Sequence, residues 1–335
     1  MTYTIKKIAV IGDGGWGTTL AVHLAKKNFP VHLWGPFPEY LRAMAKKRVN
    51  AKFLPGIRIP QNVKILEDLN EAIADCELII FAIPSKYAFS IVKKMKATGI
   101  NFSGRLLLSV TKGIDHAHLM RISQIIQGEL KAKRICVLSG PTIAMEVAKG
   151  IPSTAVAAST DIKLAKAVQA LINSNTFRIY SNTDIIGVEL GGTVKNVIAI
   201  ACGVCDGLGY GTNTKAAILT RGLAEMTRLG KALGARPQTF FGLSGLGDLV
   251  TTSFNEKSRN RSVGEKLGQG SSAKHITGRM AMVAEGVETV KGVVKLAQKH
   301  NVSMPITQEV YNIIYRHKKP AQAVGALMGR KTKSE

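Results

Sequence analysis

Short, continuously apolar runs separated by amphipathic stretches dominate the first half of this chain. The runs are 6–12 (KKIAVIG), 30–34 (PVHLW), 63–66 (VKIL), 78–83 (LIIFAI), 105–111 (RLLLSVT), 134–139 (RICVLS), 153–158 and 176–180. Between them lie segments such as HLMRISQIIQGELK and DIKLAKAVQALINS, whose apolar residues recur at helical spacing. A strand without polar alternation must be covered on both faces, and strands alternating with helices pair in parallel. The expected architecture is therefore α/β, a doubly wound and mainly parallel sheet. From residue 183 onward almost only helical periodicity remains: DIIGVELGGTVKNVIAIACGV, TKAAILTRGLAEMTRLGKAL and ETVKGVVKLAQKH, separated by GLGYGTN and GARPQ. We expect a second, all-helical domain over 182–335 after a first domain over 1–181, with the active site between them, where ligand sites of open parallel sheets concentrate.

Composition narrows the class. The 335 residues are 45% hydrophobic and 20% charged, a globular balance. The longest apolar runs, such as 78–84 and 197–205, fall far short of the roughly 20 residues that span a bilayer. Lys6 and Lys7 precede an apolar run that ends after four residues at Gly12, unlike a secretory signal. These features predict a cytoplasmic protein with no integral membrane segment. Cys202-Gly203-Val204-Cys205 is the single C-x-x-C, with no His near it, and reads as buried thiols on a helix. His116-Ala117-His118 has no further ligands beside it, so no metal is expected. The 46 Lys+Arg against 22 Asp+Glu leave a net charge of +24, spread along the chain rather than in a block. That suits multiply anionic small ligands better than nucleic acid, because no basic patch interleaves with aromatics.

Gly12-Asp13-Gly14-Gly15-Trp16-Gly17 reads G-x-G-x-x-G, directly after an apolar strand and before an amphipathic helix. In that context Gly12 would make the tight turn. Gly14 would let the backbone approach a pyrophosphate, and Gly17 would let helix and strand pack closely. The helix N-terminus would face the phosphates, which makes the first domain Rossmann-type. An acidic residue about 20 positions on would bind the ribose 2′-hydroxyl of NAD. Here the second strand ends His32-Leu33-Trp34-Gly35-Pro36-Phe37, without a carboxylate before Glu39. A 2′-phosphate would meet no fixed like charge there, and Arg42, Lys46 and Lys47 follow. The expectation is NAD(P)H, with NADPH accepted at least as well as NADH.

Several longer stretches carry a resemblance: GDGGWGTTLA, SVTKGI at 109–114, SGPTIAMEVAKG at 139–150, ELGGTVKNVIAIACGVCDGLGYGTNTKAA at 189–217, GLGDLVTT…KSRNRSVG at 245–264 and VAEGVETV at 283–290. In these the chain resembles the bacterial-type NAD(P)-dependent glycerol-3-phosphate dehydrogenases over nearly its whole length. The resemblance implies reduction of dihydroxyacetone phosphate to sn-glycerol 3-phosphate, which supplies glycerophospholipid synthesis. It departs from the family at Gly35-Pro36-Phe37, where many relatives carry a basic residue.

Reduction of a ketone needs a hydride and a proton for the developing alkoxide. The resemblance makes Lys195 the general acid, places Lys112 beside it in the substrate site and near the nicotinamide, and assigns Asp248 to orient Lys195. A helix N-cap is the alternative role for Asp248, and Thr252 would add a polar contact. It places Gly140 and Thr142 at the substrate, with Pro141 suited to a first helical turn. Ala144, Val283 and Glu285 are assigned to the cofactor, and Gly15 and Trp16 to the pyrophosphate side of the glycine turn. Ser258, Arg259 and Asn260 offer a hydroxyl, a guanidinium fork and an amide to the substrate phosphate, and Arg259 would also reach the cofactor. A homodimer is expected. The rival readings are a similar dehydrogenase with a non-phosphorylated substrate, for which 258–260 would have no use, and a basic nucleic-acid-binding protein.

Overall fold

The computed structural model describes residues 5–278, 283–332 and 334. The chain divides into two compact units, one running to Thr111 and resuming over Met120–Ile185, the other made of Lys112–Leu119 and the chain from Ile186 onward. The continuous part of the second unit thus begins at Ile186, shortly after the last strand ends at Asn182. Segment 112–119 leaves the sheet unit because Ile114, 2% exposed, is part of the helical unit's core.

Among the described residues the first unit holds one eight-stranded sheet. Its strands, numbered in chain order, are β1 (Ile8–Ile11), β2 (Val31–Trp34), β3 (Val63–Leu66), β4 (Leu78–Phe81), β5 (Leu106–Ser109), β6 (Arg134–Ser139), β7 (Ser153–Ala158) and β8 (Phe177–Asn182). All eight apolar runs become strands, several shortened by a residue or two at the ends. The spatial order is β8-β7-β6-β5-β4-β1-β2-β3. Every pairing is parallel except β6 with β7. The order β3-β2-β1-β4-β5-β6 within it is the dinucleotide-fold arrangement, whose direction reverses between β1 and β4. β1, β2, β4 and β5 are buried at every residue, as continuous apolar runs require. The edge strand β8 instead alternates, burying Phe177 and Ile179 and exposing Arg178 and Tyr180. Helices Gly15–Lys26, Ser85–Ala97, Ile122–Leu130 and Ile162–Ile172 cover the sheet.

The second unit is helical apart from the two-residue strand Ile114–Asp115. Its axis is the helix Ile185–Gly207, whose apolar side chains Val194, Val197, Ile198 and Ile200 are fully buried. Among the described residues this is the one helix long and apolar enough to cross a membrane, and 94% of its apolar stretch is buried inside the protein. The apolar runs visible in the sequence understate it because Glu189, Lys195 and Asn196 interrupt them. It crosses the helix Arg259–Gly268 backbone on backbone. A Cβ on Gly203 would stand 2.0 Å from the Arg261 carbonyl oxygen, and one on Gly264 2.0 Å from that of Ile200. Gly207 and Gly268 repeat the contact one turn later, so four absent side chains bring two helices together. Cys202 and Cys205 lie buried on this helix as free thiols, pushed up to about 12 and about 11 by burial. The redox and zinc alternatives for the C-x-x-C have no support in that environment.

Candidate active site

The glycine turn lies at the reversal point of the sheet, between β1 and β4. Gly12 has φ +126°, and a Cβ there would meet the Ala82 carbonyl oxygen, just past β4, at 2.5 Å. A Cβ on Gly17 would sit 1.9 Å from the Gly12 carbonyl oxygen, and one on Gly15 2.7 Å from that of Phe53. Packing alone therefore demands these three glycines. Gly14 is different: nothing lies within 4 Å of where its Cβ would be. It also stands as N-cap of the helix Gly15–Lys26, which has no side-chain cap and no acidic residue in its first turn. Uncapped amides, a bare backbone and open space fit the pyrophosphate of a dinucleotide.

Ala144 joins this turn, its Cβ 3.7 Å from the position a Cβ on Gly15 would take and its carbonyl accepting the Thr19 hydroxyl at 3.0 Å. Trp16 is half-buried, edge-on to Phe177 at 6.1 Å, and among the described residues no acceptor meets its buried indole N–H. Asn50, a residue the sequence did not single out, ties the turn down. Its amide donates to the Asp13 carbonyl and the Thr18 hydroxyl, both at 2.7 Å. Gly140 follows β6 with φ +145°, where a Cβ would meet the Ala155 Cα at 2.9 Å. Thr142 donates its hydroxyl to the Gly140 carbonyl at 3.2 Å. Pro141 does not sit in a first helical turn as expected, because that helix begins at Ala144. Arg42 forms an ion pair with Glu67 at 2.6 Å.

The helical unit assembles the titratable groups. Lys195 and Lys112 each hold one oxygen of the Asp248 carboxylate at 2.7 Å. Asp248 is 2% exposed and Lys195 5% exposed, so this is a buried cluster. Thr252 accepts a further hydrogen bond from the Lys195 ammonium. Asp248 is the first residue of the helix Asp248–Phe254 and caps nothing; the N-cap is Gly247. A single wide π-type turn, Leu243–Gly247, delivers it, a feature that recurs at functional sites. That turn approaches Lys195's helix because Gly191, one turn before Lys195, lacks a side chain: its Cβ would stand 2.6 Å from the Ser244 carbonyl oxygen. Two cations on one anion leave the cluster net positive. Burial lowers the Lys195 pKa to about 8, Asp248 opposing the shift and Lys112 and Arg259 adding to it.

A chain of amides links the remaining residues. The Gly286 N–H donates to Asn260 Oδ1 at 3.0 Å, Asn260 Nδ2 to Asn196 Oδ1 at 2.9 Å, and Asn196 Nδ2 to the Lys112 carbonyl at 3.2 Å. Asn260 thus spends one N–H and its oxygen internally, keeping one N–H for a ligand. Ser258 caps the helix Arg259–Gly268 by accepting from the Arg261 N–H at 3.3 Å. Arg259 is exposed and donates to the Val283 carbonyl at 2.7 Å, two residues before Glu285 opens the helix Glu285–Lys299. Asn196 went unremarked in the sequence. A polar residue beside Lys195 in an otherwise apolar helix was its one visible signal.

Residues 7–165 match the N-terminal domain of NAD-dependent glycerol-3-phosphate dehydrogenase, and residues 184–325 match the C-terminal domain. The glycerol-3-phosphate dehydrogenase, NAD(P)+, of Prosthecochloris aestuarii is 46% identical over 331 residues, 98% of this chain and 99% of that protein. The protein of the same name in Geobacter metallireducens is 47% identical over 333 residues, 98% and 99% of the two chains. The crystal structure of glycerol-3-phosphate dehydrogenase from Coxiella burnetii superposes with a TM-score of 0.93 at 37% identity, covering 97% of this chain and 99% of that one.

Proposed function

Because the chain belongs to the NAD(P)-dependent glycerol-3-phosphate dehydrogenases, we propose that Lys195 is the proton donor when dihydroxyacetone phosphate is reduced to glycerol 3-phosphate. The reaction itself is that of the family: an NAD(P)H-dependent, reversible interconversion of a ketone and a secondary alcohol. A dinucleotide held at the glycine turn would supply the hydride for C2. The protein's own residues must then stabilise and protonate the oxygen that hydride arrival makes negative.

Lys195 suits that task. Its ammonium is buried, its pKa of about 8 lies within reach of neutral pH, and Asp248 and Thr252 fix its direction. Asp248 holds the ammonium without removing its proton, since an ionised carboxylate is the stronger acid's conjugate. Lys112 keeps the cluster cationic and lowers the proton affinity of its neighbour, so the proton is transferred more readily. In the oxidation direction the same amine, unprotonated, accepts the alcohol proton.

The substrate phosphate is assigned to Arg259 with the N-terminus of its ten-residue helix. The free amides after Ser258, the guanidinium and the spare Asn260 N–H supply charge and direction. Gly14 and the uncapped helix behind it support dinucleotide binding in the sheet unit.

The observation that carries the reading is a buried ammonium, that of Lys195, sharing one buried carboxylate with the half-buried ammonium of Lys112 on its opposite oxygen. The test follows nicotinamide absorbance with dihydroxyacetone phosphate. Lys195→Met should reduce turnover by about 10²–10⁴-fold, the contribution typical of a positioned acid, while NADPH binding by fluorescence persists. Turnover within a few-fold of wild type would remove Lys195 from the chemistry.

A further inference from the structure

Asp13 is the second residue of the glycine turn, and its carboxyl has no evident structural purpose. It is 6% exposed, and among the described residues its buried Oδ2 has no hydrogen-bond partner. The rest of the residue is firmly held: its carbonyl accepts from Asn50 and from the Thr18 hydroxyl. The only nearby countercharge among the described residues that acts on it is the exposed Lys52. A buried carboxylate oxygen without a donor is costly, so the group is waiting for one or serves another end.

Its place is informative. A Cβ built on Gly35 would lie 2.3 Å from the Asp13 carboxyl carbon and 2.5 and 2.6 Å from its two oxygens. Gly35 immediately follows β2, and the turn is stitched to it by the Gly12 N–H donating to the Trp34 carbonyl at 2.8 Å. The carboxyl of residue 13 therefore fills the volume in which a side chain of residue 35 would start. That is the end of the second strand, where dinucleotide folds carry the acidic residue that reads the ribose. The sequence has no carboxylate at that end of β2; the tertiary structure brings one in from the turn.

We propose that Asp13 is the specificity-determining residue for the adenosine ribose: its carboxyl accepts from the 2′-hydroxyl of NAD(H) and opposes the 2′-phosphate of NADP(H). The inference rests on the dinucleotide reading of the glycine turn. It also gives Gly35 a reason, since any larger residue would evict the carboxyl. The charges that face the bound ribose are then Asp13 against Lys52, with Arg42 occupied by Glu67.

The test is equilibrium binding of NADH and NADPH by fluorescence titration, without substrate or turnover. In Asp13→Asn the affinity ratio of NADPH to NADH should rise about tenfold or more, the effect expected on removing a like charge and a charge-assisted acceptor together. Gly35→Ala, which must push the carboxyl aside, should move the ratio in the same direction, and adding it to D13N should move it little further. Should D13N fail to fold by thermal melting, G35A carries the same reading. A ratio within about twofold of wild type, with NADH still bound, overturns the role of Asp13 alone. A wild-type protein that binds neither dinucleotide overturns this inference and the cofactor reading beneath it.

Discussion

Lys195 and Lys112 hang from opposite oxygens of one buried carboxylate, that of Asp248, at 2.7 Å each. They come from segments more than eighty residues apart, and the buried Lys195 ammonium relies on that shared anion to offset its desolvation. Proton transfer, charge and geometry are therefore coupled in a single cluster whose response to pH and to substitution has a definite sign.

The first consequence is a pH profile. Reduction needs the Lys195 ammonium, whose pKa is lowered to about 8. The kcat/KM for reduction should fall as pH rises through about 8, and that for oxidation should rise over the same interval. In the unfolded chain the amine titrates near its ordinary value of about 10.4. Between those values the unfolded state binds the extra proton, so this group's contribution to stability increases with pH. Rate profiles in both directions check the sign.

The two partners of Lys195 should move that profile in opposite ways. Lys112→Met removes a like charge and should shift the limb to higher pH. Asp248→Asn removes the opposite charge and should shift it to lower pH, with turnover reduced by about 10²-fold or more. Identical profiles in both variants would show that the proton comes from elsewhere.

Arg259→Met should raise the KM for dihydroxyacetone phosphate about 10–100-fold, the range for losing a charge-assisted contact of about 1.5–3 kcal/mol. The kcat should change less, because the phosphate is bound alike in ground and transition states. Initial-rate kinetics separate the two. An unchanged KM would return Arg259 to the surface and reopen the choice of substrate class.

The helix crossing should be sensitive to a single methyl group. Gly264→Ala places a Cβ 2.0 Å from the Ile200 carbonyl oxygen, a backbone atom that cannot swing away. We expect a loss of about 1–3 kcal/mol by thermal or urea unfolding, the usual cost of overpacking. Because the helix it displaces begins with Arg259, KM should rise as well. Gly270→Ala, with nothing within 4 Å of its Cβ position, is the control for crowding, although its φ of +93° adds a strain of its own.

Glu225 tests stability apart from catalysis. Its carboxylate, fully buried, accepts from the Ile306 and Thr307 amides and the Thr307 hydroxyl at 2.7–3.1 Å, closing the N-terminus of the helix Pro305–Tyr315. Glu225→Ala leaves three donors without an acceptor and should cost about 2–4 kcal/mol. Below the lowered melting point, the pH profile and KM should match wild type.

The chain's local pattern determined a good deal by itself. Continuous apolar runs can be buried on both faces only as strands of a covered parallel sheet, so the eight strands of the main sheet were legible, as were the glycine turn and the helical second half. Lys195, Lys112 and Asp248 were visible as residues in family-like stretches, because their neighbours in sequence carry the resemblance. Tertiary structure decided what depends on approach between distant segments. It moved Lys112–Leu119 into the helical unit, made Asp248 an ion-pair partner rather than a cap, and tied Asn260 into an amide chain through Asn196. It also set the Asp13 carboxyl into the space that Gly35 leaves at the end of β2. Periodicity reports which face of an element is buried, a property of neighbours a few residues apart. Which two backbones come within reach of each other depends on where side chains are missing across the packed core, and no local window of sequence contains that.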